Sequence, residues 1–240
     1  LTGINLGRYG LDLNPPESLK SLIESLEKIK SNIRIRLTSI EPMEIDESLI
    51  LAIARSRKIC HHLHIPLQSG DDEILKRMKR PYTSVDFLER IWMAFREIQD
   101  LTVGFDLIAG FPGEEDHHFE RTYNFVEGLP FTYLHVFPFS PRKNTEAVSL
   151  SGKIPYQRTR ERVNALRRLS MERKLKVYRE NIGKIHDVLV EGEVEGGIFQ
   201  GLTSNYLRVY FRGTRDMVND IVPVKIESVE GERLVGKVNL

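Results

Sequence analysis

The chain has 240 residues, 40% of them hydrophobic, which suits one or two domains with a sizeable core. Lys and Arg number 35 against 34 Asp and Glu, so bulk charge alone announces no nucleic-acid partner. No apolar run approaches the roughly 18 residues of a membrane span, and the single cysteine, Cys60, excludes a disulfide framework and fits a reducing, cytoplasmic setting.

Taken in chain order, short β-branched runs predict strands over residues 1–5, 33–38, 62–67, 102–108 and 133–137. Between them apolar residues recur at helical spacing: Leu19, Leu22, Ile23 and Leu26, then Ile45, Leu49 and Ile53, then Phe87, Ile91, Phe95 and Ile98, then Phe119, Tyr123 and Val126. Strands spaced by helices make βα units and a parallel sheet. With no Gly-rich dinucleotide fingerprint, a curved barrel or partial barrel over residues 1–155 is preferred to an open doubly wound sheet. Residues 156–182 read as a connecting helix, with nine Lys and Arg over 156–180 against Glu161, Glu172 and Glu180. Residues 183–240 turn all-β, with five short strands near 185–190, 197–203, 206–211, 221–229 and 233–238, as in a small closed barrel. The fold class is therefore α/β followed by a small β-barrel.

Working groups of a (β/α) barrel sit at the C-terminal strand ends. Those positions hold Gly3 and Asn5, Ser39, Gln68 and Ser69, Asp106, Gly110 and Gly113, and Ser140 with Arg142. The set is polar, mostly neutral and poor in acid–base pairs. Cys60 reads as a buried small apolar residue. His62 and His64 share one strand face, which suits a barrel-wall role better than a metal without a third ligand. His117 and His118 read as solvated surface. Asp106 lies inside an apolar strand, where a carboxylate needs a partner or a ligand. A Schiff-base barrel would need a Lys at a strand tip, and Lys20, Lys58, Lys76 and Lys79 fall elsewhere. In the last domain Tyr206, Arg208, Tyr210 and Arg212 alternate with Leu207, Val209 and Phe211. Period 2 predicts an outer Tyr-Arg-Tyr-Arg row suited to RNA bases and phosphates, or else an ordinary edge-strand surface.

The segments LTGINLGRYG, HLHIPLQSGDDEILKRMKRPYT, GFDLIAGFPGE and LPFTYLHVFPFSPRKNT, in this order, resemble the methylthiotransferase branch of the radical S-adenosylmethionine enzymes. The tail from Gly183 resembles TRAM, a small RNA-binding β-barrel. HLHIPLQSG, RPYT and LPFTYLHVF with SPR are most similar to the tRNA threonylcarbamoyladenosine methylthiotransferases, less so to the isopentenyladenosine and ribosomal-protein branches. Asn144 stands where that family's SPRxGT-like stretch has Gly. The resemblance implies 2-methylthiolation of N6-threonylcarbamoyladenosine next to the anticodon of tRNA, with S-adenosylmethionine, two [4Fe-4S] clusters and an electron donor. It implies that Gly3 and Asn5 meet the methionine amino group and that Gln68 and Ser69 lie in the ribose region. Ile108, Gly110 and Glu114 would lie near the adenine, with Ser39 and Asp106 at neighbouring strand tips. It further implies a partial barrel lacking its first strand, with the cluster cysteines on a preceding segment and N-terminal domain of the same protein. By itself the chain is then expected to act as an RNA-binding module without turnover, in the cytoplasm and away from membranes.

Overall fold

The helices begin where a short polar side chain can close the first turn. In the computed structural model, which describes residues 1–3, 5–142 and 145–239, Ser18 accepts the backbone N–H of Ser21 (3.1 Å) to open α1 (Leu19–Glu27). Asp46 does so for α2 (Glu47–Arg55), Asp71 for α3 (Asp72–Arg77) and Thr83 for α4 (Ser84–Glu97). Asn144 lies outside the described residues. Among the described residues no helix is long and apolar enough to cross a membrane.

Three parallel strands, β1 (His62–Gln68), β2 (Thr102–Ala109) and β3 (Tyr133–Pro138), form one sheet in that order, with α5 (Asp116–Gly128) between the last two. Alternation splits the sheet into two faces. Leu63, Ile65, Leu67, Val103, Phe105, Leu107, Leu134 and Val136 are buried in one hydrophobic core that includes residues of the covering helices. His62, His64, Thr102, Gly104, Asp106, Tyr133 and His135 alternate with them on the other face.

Two of the strands read from the sequence are not regular. Residues 33–39 run parallel to the stretch 59–64 that leads into β1 but bridge it at Ile35↔Ile59 and Ser39↔His64 without a continuous ladder. Four steps on one side match five on the other, so the ladder slips by one residue and breaks between the bridges. Leu1 makes two bonds to this segment: its amino group donates to the Arg36 carbonyl (2.7 Å) and its carbonyl accepts from Thr38 (3.1 Å). That contact is too short to make a strand.

At the opposite edge, α6 (Tyr156–Glu180) replaces a further strand. Ser170 Oγ accepts the Leu134 N–H (2.8 Å), and Arg167 donates to the Val136 carbonyl (3.3 Å), so side chains satisfy part of the free edge of β3. Val163, Leu166 and Leu169 of α6 join the core of the sheet, whereas Tyr178 joins a second core. That second core fills a closed barrel of β4 (Ile185–Glu195), β5 (Ile198–Thr203), β6 (Arg208–Arg212), β7 (Ile221–Glu230) and β8 (Arg233–Val238), in the order β4-β5-β6-β8-β7.

The β5–β6 turn of the small barrel seats against the N-terminal end of the sheet. Ser204 accepts the His61 N–H (3.1 Å), the Asn205 carbonyl accepts the Thr102 hydroxyl (2.5 Å), and Asn205 Nδ2 donates to Asp100 (3.0 Å). Arg34 reaches across to the carbonyls of Leu202 (2.9 Å) and Asp187 (2.8 Å).

At the C-terminal end of β2, Gly110 (φ +80°) opens the turn into α5, and a side chain there would overlap Thr159 of α6. Glu114 accepts the Gly110 N–H (2.7 Å) and a bond from Arg162 Nη1 (2.6 Å), and both charged side chains are buried. Arg162 also donates to Asp116 (2.8 Å). This clamp ties the turn to α6. Arg162→Ala strands a buried carboxylate and is expected to cost about 3–5 kcal/mol. The double replacement Glu114→Gln with Arg162→Met recovers most of that loss, as read by urea unfolding.

Candidate functional site

The C-terminal strand ends border a cleft of about 470 Å³, lined by Gln68, Asp106, Ile108, Phe137, Ser140 and Arg142 among others. Gln68 closes β1 with φ +66°, a backbone region a non-glycine residue occupies at a cost, which is common at ligand sites. Phe137 stands next to His135 on the same strand face and is half exposed.

Of the residues expected to meet a cofactor, Gln68, Asp106 and Ile108 are brought together here. Ser69, Gly110 and Glu114 are not turned to the cleft. Ser69 is buried, with its hydroxyl 3.1 Å from that of Thr122. Gly110 and Glu114 belong to the clamp that holds α6. Gly3, Asn5 and Ser39 are exposed, and none of them lines the cleft. Small or polar residues at a strand tip serve the next helix as readily as a ligand, so type alone cannot separate the two uses.

The inner face continues below the cleft as a polar network. Asp106 Oδ1 lies 2.8 Å from His64 Nε2 and 3.3 Å from His135 Nδ1. The Tyr133 hydroxyl stands 3.2 Å from both His64 Nδ1 and His62 Nε2. His62 Nδ1 meets the Thr102 hydroxyl at 2.9 Å. Gly104 leaves the room Tyr133 occupies, since a Cβ there would overlap the ring. His62 and His64 do share a face, as period 2 requires, and Asp106 has partners. Those partners are histidines, and the second of them, His135, comes from β3. Alternation in YLHVF marked His135 as facing the same way as Tyr133. Only the register Asp106↔His135 reveals the neighbour. Burial pushes Tyr133 up to about 12 and lowers His135, with the neighbouring His64 adding to the latter. Cys60 is buried, and burial raises its thiol. His118 is not solvated surface: it is buried and its Nδ1 accepts the Glu115 N–H (3.0 Å) at the start of α5.

The expected Tyr-Arg-Tyr-Arg row is shorter than the alternation suggests. Tyr206 takes φ +68° in the turn before β6 and leaves the row. Its ring stacks on His62 (4.8 Å between centroids) and lies under the Arg36 guanidinium (4.0 Å). It therefore seals the junction between barrel and sheet and does not present a face to RNA. Arg208 pairs with Glu191 at 2.6 Å. Tyr210 and Arg212 remain on the outer face, where β8 adds Arg233 and Lys237. Arg212 pairs in register with Lys237, and the Arg233 guanidinium lies 4.9 Å over Tyr210. These residues line a groove of about 510 Å³ together with Glu227 and Glu230. In α6, Arg158 and Arg162 bind Asp116, and Arg167 and Arg173 bind backbone carbonyls, so much of its positive charge anchors the helix.

Residues 11–126 match the Radical SAM superfamily model. The chain is 36% identical over 236 residues to the threonylcarbamoyladenosine tRNA methylthiotransferase MtaB of Thermotoga maritima, covering 98% of this chain and 53% of that protein. It is 34% identical to the tRNA-2-methylthio-N(6)-dimethylallyladenosine synthase of Lachnoclostridium phytofermentans, with 99% and 52% covered. The chain thus spans about half the length of the curated relatives it matches. Among solved structures, coproporphyrinogen III oxidase (HemN) from Escherichia coli shares the fold, with a TM-score of 0.54 at 14% identity over 82% of this chain and 57% of that one.

The inner network predicts a pH response. Burial above all, with Arg36 and His64 adding to it, pushes His62 from 6.5 down to about 3. The unfolded chain therefore binds this proton more readily, and stability is full above pH 6.5 and falls as pH drops toward 3. Thermal melts should show this acid loss, and His62→Gln should make the slope over that window shallower.

Proposed function

We propose that this chain, which belongs to the radical S-adenosylmethionine methylthiotransferase family, provides the substrate-side wall and RNA-binding barrel of a tRNA-modifying enzyme. The modification is a 2-methylthio group added to N6-threonylcarbamoyladenosine next to the anticodon. What carries the reading is a nucleoside-sized cleft at the strand ends joined in one chain to a barrel with a basic and aromatic outer groove. Similarity over 98% of the chain to a protein named for this reaction supports it. The half-length match to those relatives leaves room for the remaining parts in the whole protein.

The cleft fits S-adenosylmethionine in kind. Gln68 offers an amide at a fixed, left-handed backbone position, Asp106 a carboxylate for an amine or hydroxyl, and Ile108 and Phe137 apolar surface for an adenine ring. When bound, that cofactor supplies a 5′-deoxyadenosyl radical. The chain's residues would orient it and keep water from the reacting face. The residues present do not fit a [4Fe-4S] cluster, which takes several thiolates. Cys60, the single cysteine, is buried and its backbone N–H bonds Ile35 near the opposite end of the sheet. No step is derived through a cluster.

The barrel would hold tRNA as TRAM-like modules do, through Tyr210, Arg212, Arg233 and Lys237 in its groove, with Arg208 contributing less because Glu191 already neutralises it. Replacing Arg212 and Lys237 together with Ala should reduce the salt dependence of log K for tRNA by about 1.4–1.8, at roughly 0.7–0.9 per phosphate contact. Arg208→Ala should change that slope less. Equal slopes for all variants and the parent would place the RNA elsewhere.

The substrate is tested in cells. Deleting the gene should leave N6-threonylcarbamoyladenosine without its 2-methylthio group in digested tRNA, read by mass spectrometry. Loss of the methylthio group from isopentenyladenosine instead would reassign the substrate to the other tRNA branch.

A further inference from the structure

Below the cleft, His64, Asp106 and His135 each offer one ligand atom, and these atoms lie within 4.8 Å of one another. We propose that the three side chains bind a single first-row divalent cation through His64 Nε2, an Asp106 carboxylate oxygen and His135 Nδ1, with its remaining positions open to the cleft.

The spacing suits such an ion. Ligands about 2.0–2.2 Å from a tetrahedral cation stand roughly 3.3 Å apart. Asp106 Oδ1 is 2.8 Å from His64 Nε2 and 3.3 Å from His135 Nδ1, so small rotations of the side chains suffice. The ligands come from three hydrogen-bonded strands, with Asp106 and His135 directly paired and His64 one step diagonal. Such a platform holds ligand geometry more firmly than loops do.

The hydrogen bonds around His64 also suit ligation. Arg36 Nη2 donates to His62 Nε2 (3.3 Å), which fixes that nitrogen as an acceptor. When the Tyr133 hydroxyl shares this acceptor, Tyr133 oxygen accepts from His64 Nδ1–H, and His64 Nε2 is left as a bare acceptor facing the carboxylate. Downstream, His62 Nδ1–H donates to Thr102, whose hydroxyl donates to the Asn205 carbonyl. In this arrangement no hydrogen lies between His64 Nε2 and Asp106 Oδ1, which stand 2.8 Å apart. A cation there completes the set, with Tyr133 orienting the ligating ring as outer-shell partners do. Reversing the Tyr133 hydroxyl puts a hydrogen on His64 Nε2 instead, so metal binding and this proton exclude each other.

Among the described residues no lysine or arginine forms an ion pair with Asp106; both partners are histidines. Two imidazoles and one carboxylate suit Zn²⁺, Co²⁺ or Fe²⁺ better than Mg²⁺ or Ca²⁺, and the absence of a thiolate from the set favours a single ion over a cluster. Asp106 lines the cleft and the His135 side chain is 53% exposed, which gives the ion an entry path. The second grouping, Glu73 with His117 and His118, lacks this preparation. Arg121 already binds Glu73 (3.1 Å), and His118 Nδ1 is taken by the backbone of Glu115.

The site shares Asp106 with the proposed cofactor cleft but needs no cofactor or tRNA to be seen, and it is tested by Co²⁺ titration of the purified chain. We expect one equivalent to bind saturably, with the visible d–d absorption of a low-coordinate Co²⁺, and Zn²⁺ to displace it. Asp106→Asn and His135→Gln should each weaken binding at least tenfold, and Tyr133→Phe by about 10–100-fold. Glu73→Gln should leave it unchanged. His135 is exposed, so His135→Gln decides the matter even if Asp106→Asn fails to fold, with thermal melts confirming the fold of each variant. The proposal is overturned by an absence of saturable binding, by binding that His135→Gln leaves intact, or by binding lost on Glu73→Gln.

Discussion

The parallel register of β1, β2 and β3 is the constraint on which the rest depends. It places Asp106 directly beside His135 and diagonally beside His64, and it sets Gly104 beside Tyr133. Because side chains alternate, the same register sends Leu63, Ile65, Val103, Phe105, Leu134 and Val136 into the helix-covered core. A slip of one residue would exchange the two faces and bury the carboxylate among apolar side chains, at a cost of several kcal/mol. The apolar face therefore fixes the polar face without any direct selection among the polar groups.

The two ends of this sheet are treated differently. The N-terminal end is closed by the small barrel, whose Tyr206 covers His62 while Arg36 lies over the tyrosine ring. At the other end the cleft is open, and Gln68, Asp106 and Phe137 face it. Between them runs a chain of polar contacts from Asn205 through Thr102, His62, Tyr133 and His64 to Asp106. The barrel and the cleft are thus joined by one continuous chain of hydrogen-bonding side chains, in which the donor direction at each link depends on its neighbours.

The helix between the domains has a similar double use. Its composition sets nine cations against three glutamates. In the fold Arg158, Arg162, Arg167 and Arg173 are spent on Asp116, Glu114 and the carbonyls of β3 and α5. Arginine serves this purpose because its several donors can satisfy a carboxylate and a carbonyl at once. Arg162 does both at Glu114.

The sequence by itself determined the local elements. Hydrophobic periodicity located α1, α2, α4, α5 and the helix Tyr156–Glu180, the three regular strands and the five strands of the small barrel, because these depend on neighbours along the chain. Alternation also put His62 and His64 on one face and flagged the carboxylate of Asp106. Only the tertiary structure decided what those residues meet. His135 joins Asp106 through a strand pairing 29 residues away, which no local pattern encodes. Glu114, Gly110 and Ser69 turn to packing partners on α6 and α5, and Tyr206 leaves its row because a left-handed backbone step carries it into the junction. The ladder over residues 33–38 fails for the same kind of reason, a one-residue mismatch set by a distant partner. Side-chain type and spacing report the local conformation, while burial and pairing are properties of the assembled chain.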